Sequence, residues 1–436
     1  MPSTATFPTP VGAGAALRGP VPGGRGRPWT AVAPAVFAGA WGGNHFTPLM
    51  LMYRLHDGYT TMAVDVVFAA YVAGLVPGFL LSGALSDRYG RKRVLVPAVV
   101  LGVAASAALA TGVHTLPVMC LGRLLSGLSV AAAMVVGTSW LRELSQAPWE
   151  PGADDGAGAA RASVTLTLGF GLGAAVSGVL AQWAPGPSLV PYAVHVVLSL
   201  WALAALAAAP ETRRFDAGIR SLLADLRVPA ASRRRFLLVL TPLAPWVFAG
   251  AALAYAVLPA LLHRASHGYD VAVAALLALA TLGTGAAVQV GLRRLPSSLR
   301  RHAPHVGVAA MAVGAALCAR AAVAPTLWLA AVAAVVLGLG YGICLVTGLV
   351  EVQRLTDEEH LAGLTGVYYS LTYLGFTLPV VLAWLQPLAG YATLLTVVAV
   401  LAVLSGAVVT VARRTLPAPV WPDESTAPWL EQVGAE

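Results

Sequence analysis

From Thr30 onward the chain is a succession of twelve apolar runs, each long enough to cross a membrane. They cover approximately 30–53, 63–86, 93–112, 116–141, 161–184, 189–209, 236–262, 271–292, 304–323, 326–350, 361–386 and 390–412. A hydrocarbon core about 30 Å thick takes roughly 20 helical residues to span. With 58% apolar residues, 11% charged and a mean hydropathy of +0.76, the 436-residue chain is too apolar for a soluble protein of this size. The expected fold class is therefore an all-α integral membrane protein with twelve transmembrane helices.

The formal charge of +8 does not point to nucleic acid. Of 27 basic residues 26 are Arg, they fall in short clusters between apolar runs, and no nucleic-acid motif accompanies them. Orientation in a bilayer accounts for them. With both termini cytoplasmic, the inner side holds 23 basic residues and the outer side only Arg54, Arg264 and Arg320, while Arg123 lies within a span. The Arg- and Ala-rich composition fits a GC-rich bacterial genome, so the expected location is a bacterial cytoplasmic membrane. Cys120, Cys318 and Cys344 all sit in apolar runs, which argues against a disulfide framework. Residues 1–28 are rich in Pro, Gly and Ala and lack a signal-peptide core, so a disordered cytoplasmic tail is expected there, with a second tail over 415–436.

The longest internal loop, 210–235, divides the spans six and six. Within it Ile219, Leu222, Leu223 and Leu226 share one helical face, with Arg220, Asp225 and Arg227 on the other. This reads as an interfacial amphipathic helix, the alternative being a solvated charged linker. The halves 29–209 and 236–414 echo each other. Glu143 with Leu168-Gly169-Phe170 recurs as Glu351 with Leu374-Gly375-Phe376.

Between the second and third runs stands Gly83-Ala84-Leu85-Ser86-Asp87-Arg88-Tyr89-Gly90-Arg91-Lys92-Arg93. It resembles the cytoplasmic loop signature of the major facilitator superfamily, G-x-L-(A/S)-D-R-x-G-R-(K/R)-(K/R), at every prescribed position. Gly291 followed by Arg293, Arg294, Arg300 and Arg301 looks like a degraded copy, with Leu295 where Asp87 would stand. The resemblance implies two pseudo-symmetric six-helix bundles with a site between them near the midplane. It also implies that Gly83, Asp87, Arg88, Gly90, Arg91 and Lys92 form a gate, with Asp87 facing the N-terminal end of the eleventh helix. The basic residues can pair with that carboxylate or with anionic lipid headgroups. A loop that only orients the helices is the plainer alternative.

Arg123, with Gly127 one turn on, resembles the fourth-helix R-x-x-x-G signature of proton-coupled members. An unpaired Arg in hydrocarbon costs at least ~2.5 kcal/mol, so it should face the interior and have a partner, unless it snorkels to the outer interface. Asn44 and His45 lie at similar depth, where a His can belong to a proton relay or be an ordinary satisfied interior group. Asp65 is a candidate partner for Arg123 or His45, or a solvated helix-start acid. His195 lies at similar depth on a helix that is peripheral in this fold.

The fifth run carries Gly169, Gly173 and Gly178 and resembles the antiporter signature G-x-x-x-G-P-x-x-G-G, with Ala174 in place of Pro and Ser177 in place of Gly. Small residues at this spacing also pack helices in any membrane protein. In the helices that line the cavity of this fold stand Trp41, Phe46, Trp140, Trp246, Tyr255, Tyr341, Tyr368, Tyr369 and Tyr373. A pocket so lined suits a bulky, partly apolar ligand, cations included. No buried acid is expected between 236 and 350, so a charged substrate would be recognised mainly by the N-terminal half or by neutral groups.

No catalytic constellation, metal-ligand set or nucleotide loop is present, so neither an enzyme nor a cofactor is expected. The implied function is a monomeric secondary transporter using protons and a small-molecule substrate in a lipid bilayer, most like the bacterial drug:proton antiporter group. Proton-coupled efflux of a drug-like or natural-product molecule is the expected activity. Import of a metabolite such as a sugar or organic acid by proton symport is the alternative. A non-transporting sensor with this fold is a third reading, which the complete gate motif disfavours.

Overall fold

The computed structural model describes residues 27–154, 157–213, 232–293, 296, 302–355 and 361–416. All of the expected tails but 27–28 and 415–416, the amphipathic segment of the linker, and Arg294, Leu295, Arg300 and Arg301 of the degraded motif lie outside these residues; Pro28 and Thr415 are helical. The described secondary structure is helical throughout. Ten helices are long and apolar enough to cross a membrane, one of them a merged stretch, Leu364–Thr415, that holds the last two spans. The twelve expected spans are recovered once two local features are read. The first span is broken at His45 into Ala33–Asn44 and Phe46–Leu55, too short to count singly. The eleventh and twelfth are separated at Gly390, whose φ of 64° is a left-handed conformation that glycine adopts without strain.

The second span, Thr61–Tyr89, and the third, Arg91–Thr111, run longer than the apolar pattern alone and leave Gly90 as the whole connection. Its φ of +100° turns the chain, so the stretch expected as a short turn is almost entirely helix end and helix start. The remaining spans are Leu116–Glu143, Ala157–Trp183, Val190–Ala207, Arg233–Leu261, Asp270–Arg293, Ala303–Val323 and Leu327–Gln353, with the eleventh opening at Leu361–Tyr373.

Within the first half the second span packs on the fourth, the third on the fourth and sixth, and the first on the fifth. The second half repeats this with the eighth on the tenth, the ninth on the tenth and twelfth, and the seventh on the eleventh. The glycines of the sequence echo explain part of it. A Cβ on Gly169 would lie 2.6 Å from the Phe37 carbonyl oxygen of the first span, and one on Gly375 would strike the Pro245 carbonyl of the seventh. Without a hydrophobic driving force between helices in lipid, such backbone approach is what holds them. A Cβ on Gly83 of the motif would meet Val135 at 3.5 Å, an ordinary contact; the close crossing of the second span falls at Gly74 and Gly127.

The halves meet through the fifth and eighth spans, the second and eleventh, and the outer part of the first with the eighth. The second span meets the eleventh nearer the basic face, where a Cβ on Gly366 would lie 3.1 Å from the Phe79 carbonyl oxygen, while the fifth and eighth spans close on each other toward the opposite face. There the Gln182 side chain donates to the Gly268 carbonyl at 3.0 Å and accepts from the Val271 and Ala272 amides at 3.2 Å each. It thereby caps the eighth span, whose first amides have no intrahelical partner.

Replacing Gly127 by Ala would put a methyl 2.7 Å from the Leu75 amide nitrogen. Thermal unfolding in detergent should show a loss of about 1–3 kcal/mol. The same change at Gly283, where a Cβ meets nothing within 4 Å, should leave stability unchanged or slightly raised.

Candidate functional site: a central cavity and a buried cation

Between the halves lies a cavity of about 630 Å³, extending from Asn44, Tyr71 and Tyr255 in the membrane interior to Asp87, Arg142 and Gln353 at the basic face. Nine aromatic rings line it, five Tyr and four Phe. Asp87 and Arg142, both at the mouth, are its only charged lining residues among those described. The rings form a continuous stack across the interface between the halves. Phe248 and Tyr373 stack with centroids 4.0 Å apart, Phe79 stacks on Tyr369 and Tyr373, and Tyr71 meets Tyr373 edge-on at 6.3 Å. Offset and edge contacts of this kind are favourable ring geometries.

Of the expected cavity aromatics, Tyr255, Tyr341, Tyr369 and Tyr373 line it, as does Asn44. Trp41, Phe46, Trp140, Trp246 and Tyr368 do not. Trp41 is packed against Gly173 of the fifth span, and Trp140 is buried with its indole donating to the Pro210 carbonyl at 3.0 Å. Trp246 packs into the core of the second half, and the Tyr368 hydroxyl donates to the Cys344 carbonyl. Assigning cavity residues by span alone misplaces these because a helix presents only part of its circumference to the interior. Tyr71, Phe79, Phe170, Phe248 and Phe376 were missed for the same reason. Phe170 and Phe376 each follow the glycine of the sequence echo, a signal that pointed at both.

Arg123 is completely buried. Its guanidinium lies over the Tyr71 ring at 4.1 Å and the Phe46 ring at 4.7 Å, and none of its three nitrogens has a hydrogen-bond partner. Tyr71 is thus a wall with the cavity on one side and a bare cation on the other. His45, at the break in the first span, is also fully buried with both ring nitrogens unpartnered, edge-on to Tyr192 and His195 at 4.9 Å. His195 is satisfied: Ser106 bonds its Nδ1 at 2.7 Å, and its Nε2 reaches the Ala38 carbonyl at 3.0 Å. That pattern makes Nε2 the protonated nitrogen. Asp65 is buried but is not brought to Arg123 or His45; the cation that acts on it is Arg54.

At the basic face the motif residues form a tight cluster. Arg91 makes a bidentate pair with Glu143, at 2.7 and 3.2 Å, and reaches Asp87 at 3.0 Å and the Ser86 hydroxyl at 2.8 Å. Glu211 accepts from the Arg91 and Lys92 amides at 2.9 Å each, capping the third span, and Lys92 Nζ donates to the Ala207 and Ala209 carbonyls at the end of the sixth. Anions at helix starts and cations at helix ends are the favourable arrangement. The Asp87 carboxylate, expected to face the eleventh helix, is instead turned to Arg91 and, at 4.0 Å, to Arg213. It lines the cavity at its basic end. Arg88 lies over the Tyr89 ring at 5.0 Å. In the second half Glu351 pairs with Arg235, an echo of Glu143 with a partner from a different helix.

In the fifth span Gly169 and Gly173 face the first span, and Gly178 faces Ala275 of the eighth. No group of three metal-ligating side chains occurs among the described residues.

A family model described as Major Facilitator Superfamily matches residues 32–379. The 3-(3-hydroxy-phenyl)propionate transporter of Escherichia coli (strain K12) is 40% identical over 73 residues, 17% of this chain and 18% of that one. The 4-hydroxybenzoate transporter PcaK of Pseudomonas putida is 41% identical over 88 residues, 20% of this chain and 19% of that one. Multidrug resistance protein MdtL of Klebsiella pneumoniae is 31% identical over 86 residues, 20% and 22% of the two chains. The chain thus spans about a fifth of the length of these relatives. Among solved structures, nucleoside transporter NupG aligns at a TM-score of 0.67 with 14% identity, covering 89% of this chain and 99% of that one. A POT family transporter in complex with 5-aminolevulinic acid aligns at 0.69 with 12% identity, covering 88% and 96%. These two likenesses show the fold.

An unpaired buried guanidinium costs at least ~2.5 kcal/mol, of which two ring contacts return about 0.5–1 kcal/mol each. Arg123→Met should therefore leave thermal stability unchanged or raise it by about 1 kcal/mol, while abolishing gradient-driven transport in proteoliposomes. Lowered stability with transport retained would make Arg123 a packing residue.

Proposed function

The chain belongs to the Major Facilitator Superfamily, and on that premise we propose that it carries a small aromatic acid across the membrane by alternating access. One observation carries the choice of substrate: nine rings line the cavity, no carboxylate lies along its depth, and Arg123 waits unpartnered behind Tyr71. A flat aromatic body gains from stacking on such walls. A cationic drug would find no counter-charge deeper than Asp87, so the expectation that the pocket also suits cations is set aside. Two relatives bear the names of aromatic acids, 3-(3-hydroxy-phenyl)propionate and 4-hydroxybenzoate.

In this reading the basic face is the cytoplasmic side of a bacterial membrane, with both termini on it, and the described conformation is open inward. Substrate entering from the other side requires the outer contacts around Gln182 to part while Asp87, freed from Arg91 and Arg213, meets the eleventh helix and closes the mouth. Protons are the coupling ion. His45, buried beside Arg123 and without a partner, is the group that takes up and releases them. Uptake of an acid with a proton is the direction that follows. The protein works as a monomer, and no catalytic step or cofactor enters the account.

A second reading, proton-coupled efflux of a drug-like or natural-product molecule, rests on the partial fifth-span signature and on the likeness to a multidrug resistance protein.

Purified protein in proteoliposomes with an entrapped pH-sensitive dye separates the two. 4-Hydroxybenzoate should be taken up with protons, and an aromatic amine of the same size should not. Tyr373→Ala, which removes one stacking ring, should raise the half-saturating concentration about two- to tenfold. Proton exchange driven by the amine, with none driven by the acid, would favour the efflux reading.

A further inference from the structure

A second cavity, of about 470 Å³, lies on the outside of the first half, between the second and third spans with the fourth as its floor. Leu85, Val94, Pro97, Leu101 and Leu128 are among its walls. It sits in the stretch of these helices that crosses the membrane, and its rim residues Tyr89, Arg93 and Pro97 are exposed, so it opens toward lipid rather than toward the transport path. Its polar end is at the basic face. There Arg93 lines it, and Arg88 lies over the ring of Tyr89, another lining residue. The acids nearby are engaged elsewhere: Asp87 with Arg91 and Arg213, and Glu143 with Arg91 and Thr212.

We propose that this groove is a binding site for one anionic phospholipid of the inner leaflet, its phosphate at Arg93 and Arg88 and one acyl chain in the groove. From Arg93 to Leu101 the third span rises about 12 Å, which accommodates the upper half of a chain. The lower half continues along ordinary lipid-facing surface. Charge complementarity selects the occupant: an apolar slot with a cationic mouth at headgroup depth matches an acyl chain joined to a phosphate. A lipid held there would brace the cytoplasmic end of the second span, the element that carries Asp87, without entering the substrate cavity.

Delipidated full-length protein in detergent can be titrated with POPG or with POPC, which has the same chains and no net charge, and followed by native mass spectrometry. One tightly held POPG is expected, with weaker POPC. Arg93→Gln should weaken POPG about fivefold, from the roughly 1 kcal/mol carried by one basic residue near the surface, and leave POPC unchanged. Arg93→Lys should restore it. Leu101→Trp, which fills the groove, should weaken both lipids, and unchanged thermal unfolding would show that it folds. Equal binding of POPG and POPC, insensitive to Arg93→Gln, overturns the proposal. So does uptake of neither lipid, the result expected if a segment of the chain itself fills the groove.

Discussion

The contact between the two halves on the face opposite the basic loops sets the shape of everything else. Gln182 caps the eighth span from the other half, Gly178 lets the fifth span close on Ala275, and the rings of Phe68 and Tyr71 meet Phe376 and Tyr373. These contacts close one end of the interface. At the other end, among the described residues, the cavity reaches Asp87 and Gln353. A membrane protein of two rigid bundles has one hinge-like degree of freedom that matters, and here it stands at one limit. The motif cluster fits this state, since Arg91, Glu143 and Glu211 knit the second, third, fourth and sixth spans into one body. That body can rock as a unit.

Hydrocarbon offers no water to an orphaned polar group, so groups left unpaired inside the bundle are costly and informative. Arg123 and His45 are such groups, and they sit together behind the wall of the cavity. His195, equally buried, is fully bonded and carries no such implication. The contrast separates paired from unpaired buried polar groups within the first half. The second half buries acids of its own, and they are bonded: Glu351 to Arg235, and Asp270, in the stretch where no buried acid was expected, to His263 and Ser266.

Much of this was legible in the sequence. The all-helical membrane fold follows from hydropathy, and the family from a loop signature whose every position matches. Arg123 was recognisable because a lone Arg in an apolar run needs an explanation. What could not be read was azimuth. Trp140 and Tyr255 are both buried aromatic residues within a span, yet one donates to Pro210, just past the end of the sixth span, and the other faces the cavity. The runs lack a polar face that would fix the rotation of each helix, because both lipid-facing and core-facing surfaces are apolar. Asp65 failed as a partner for Arg123 for a related reason: similar depth along two helices says nothing of which way each side chain turns. Asp87 lies in the last turn of the second span and is held by Arg91 of the same motif and by Arg213, a partner that the motif does not name.

In the proposed cycle the contacts around Gln182 and the cavity mouth are two ends of one motion. Spin labels on Trp183 and Tyr269, whose rings lie 6.5 Å apart at the closed end, and on Ala159 and Gln353, across the open mouth, allow both distances to be followed by pulsed electron resonance. Shifting the pH in the presence of 4-hydroxybenzoate should lengthen the first distance and shorten the second together. Two distances that stay fixed, or that change in the same sense, would contradict the account.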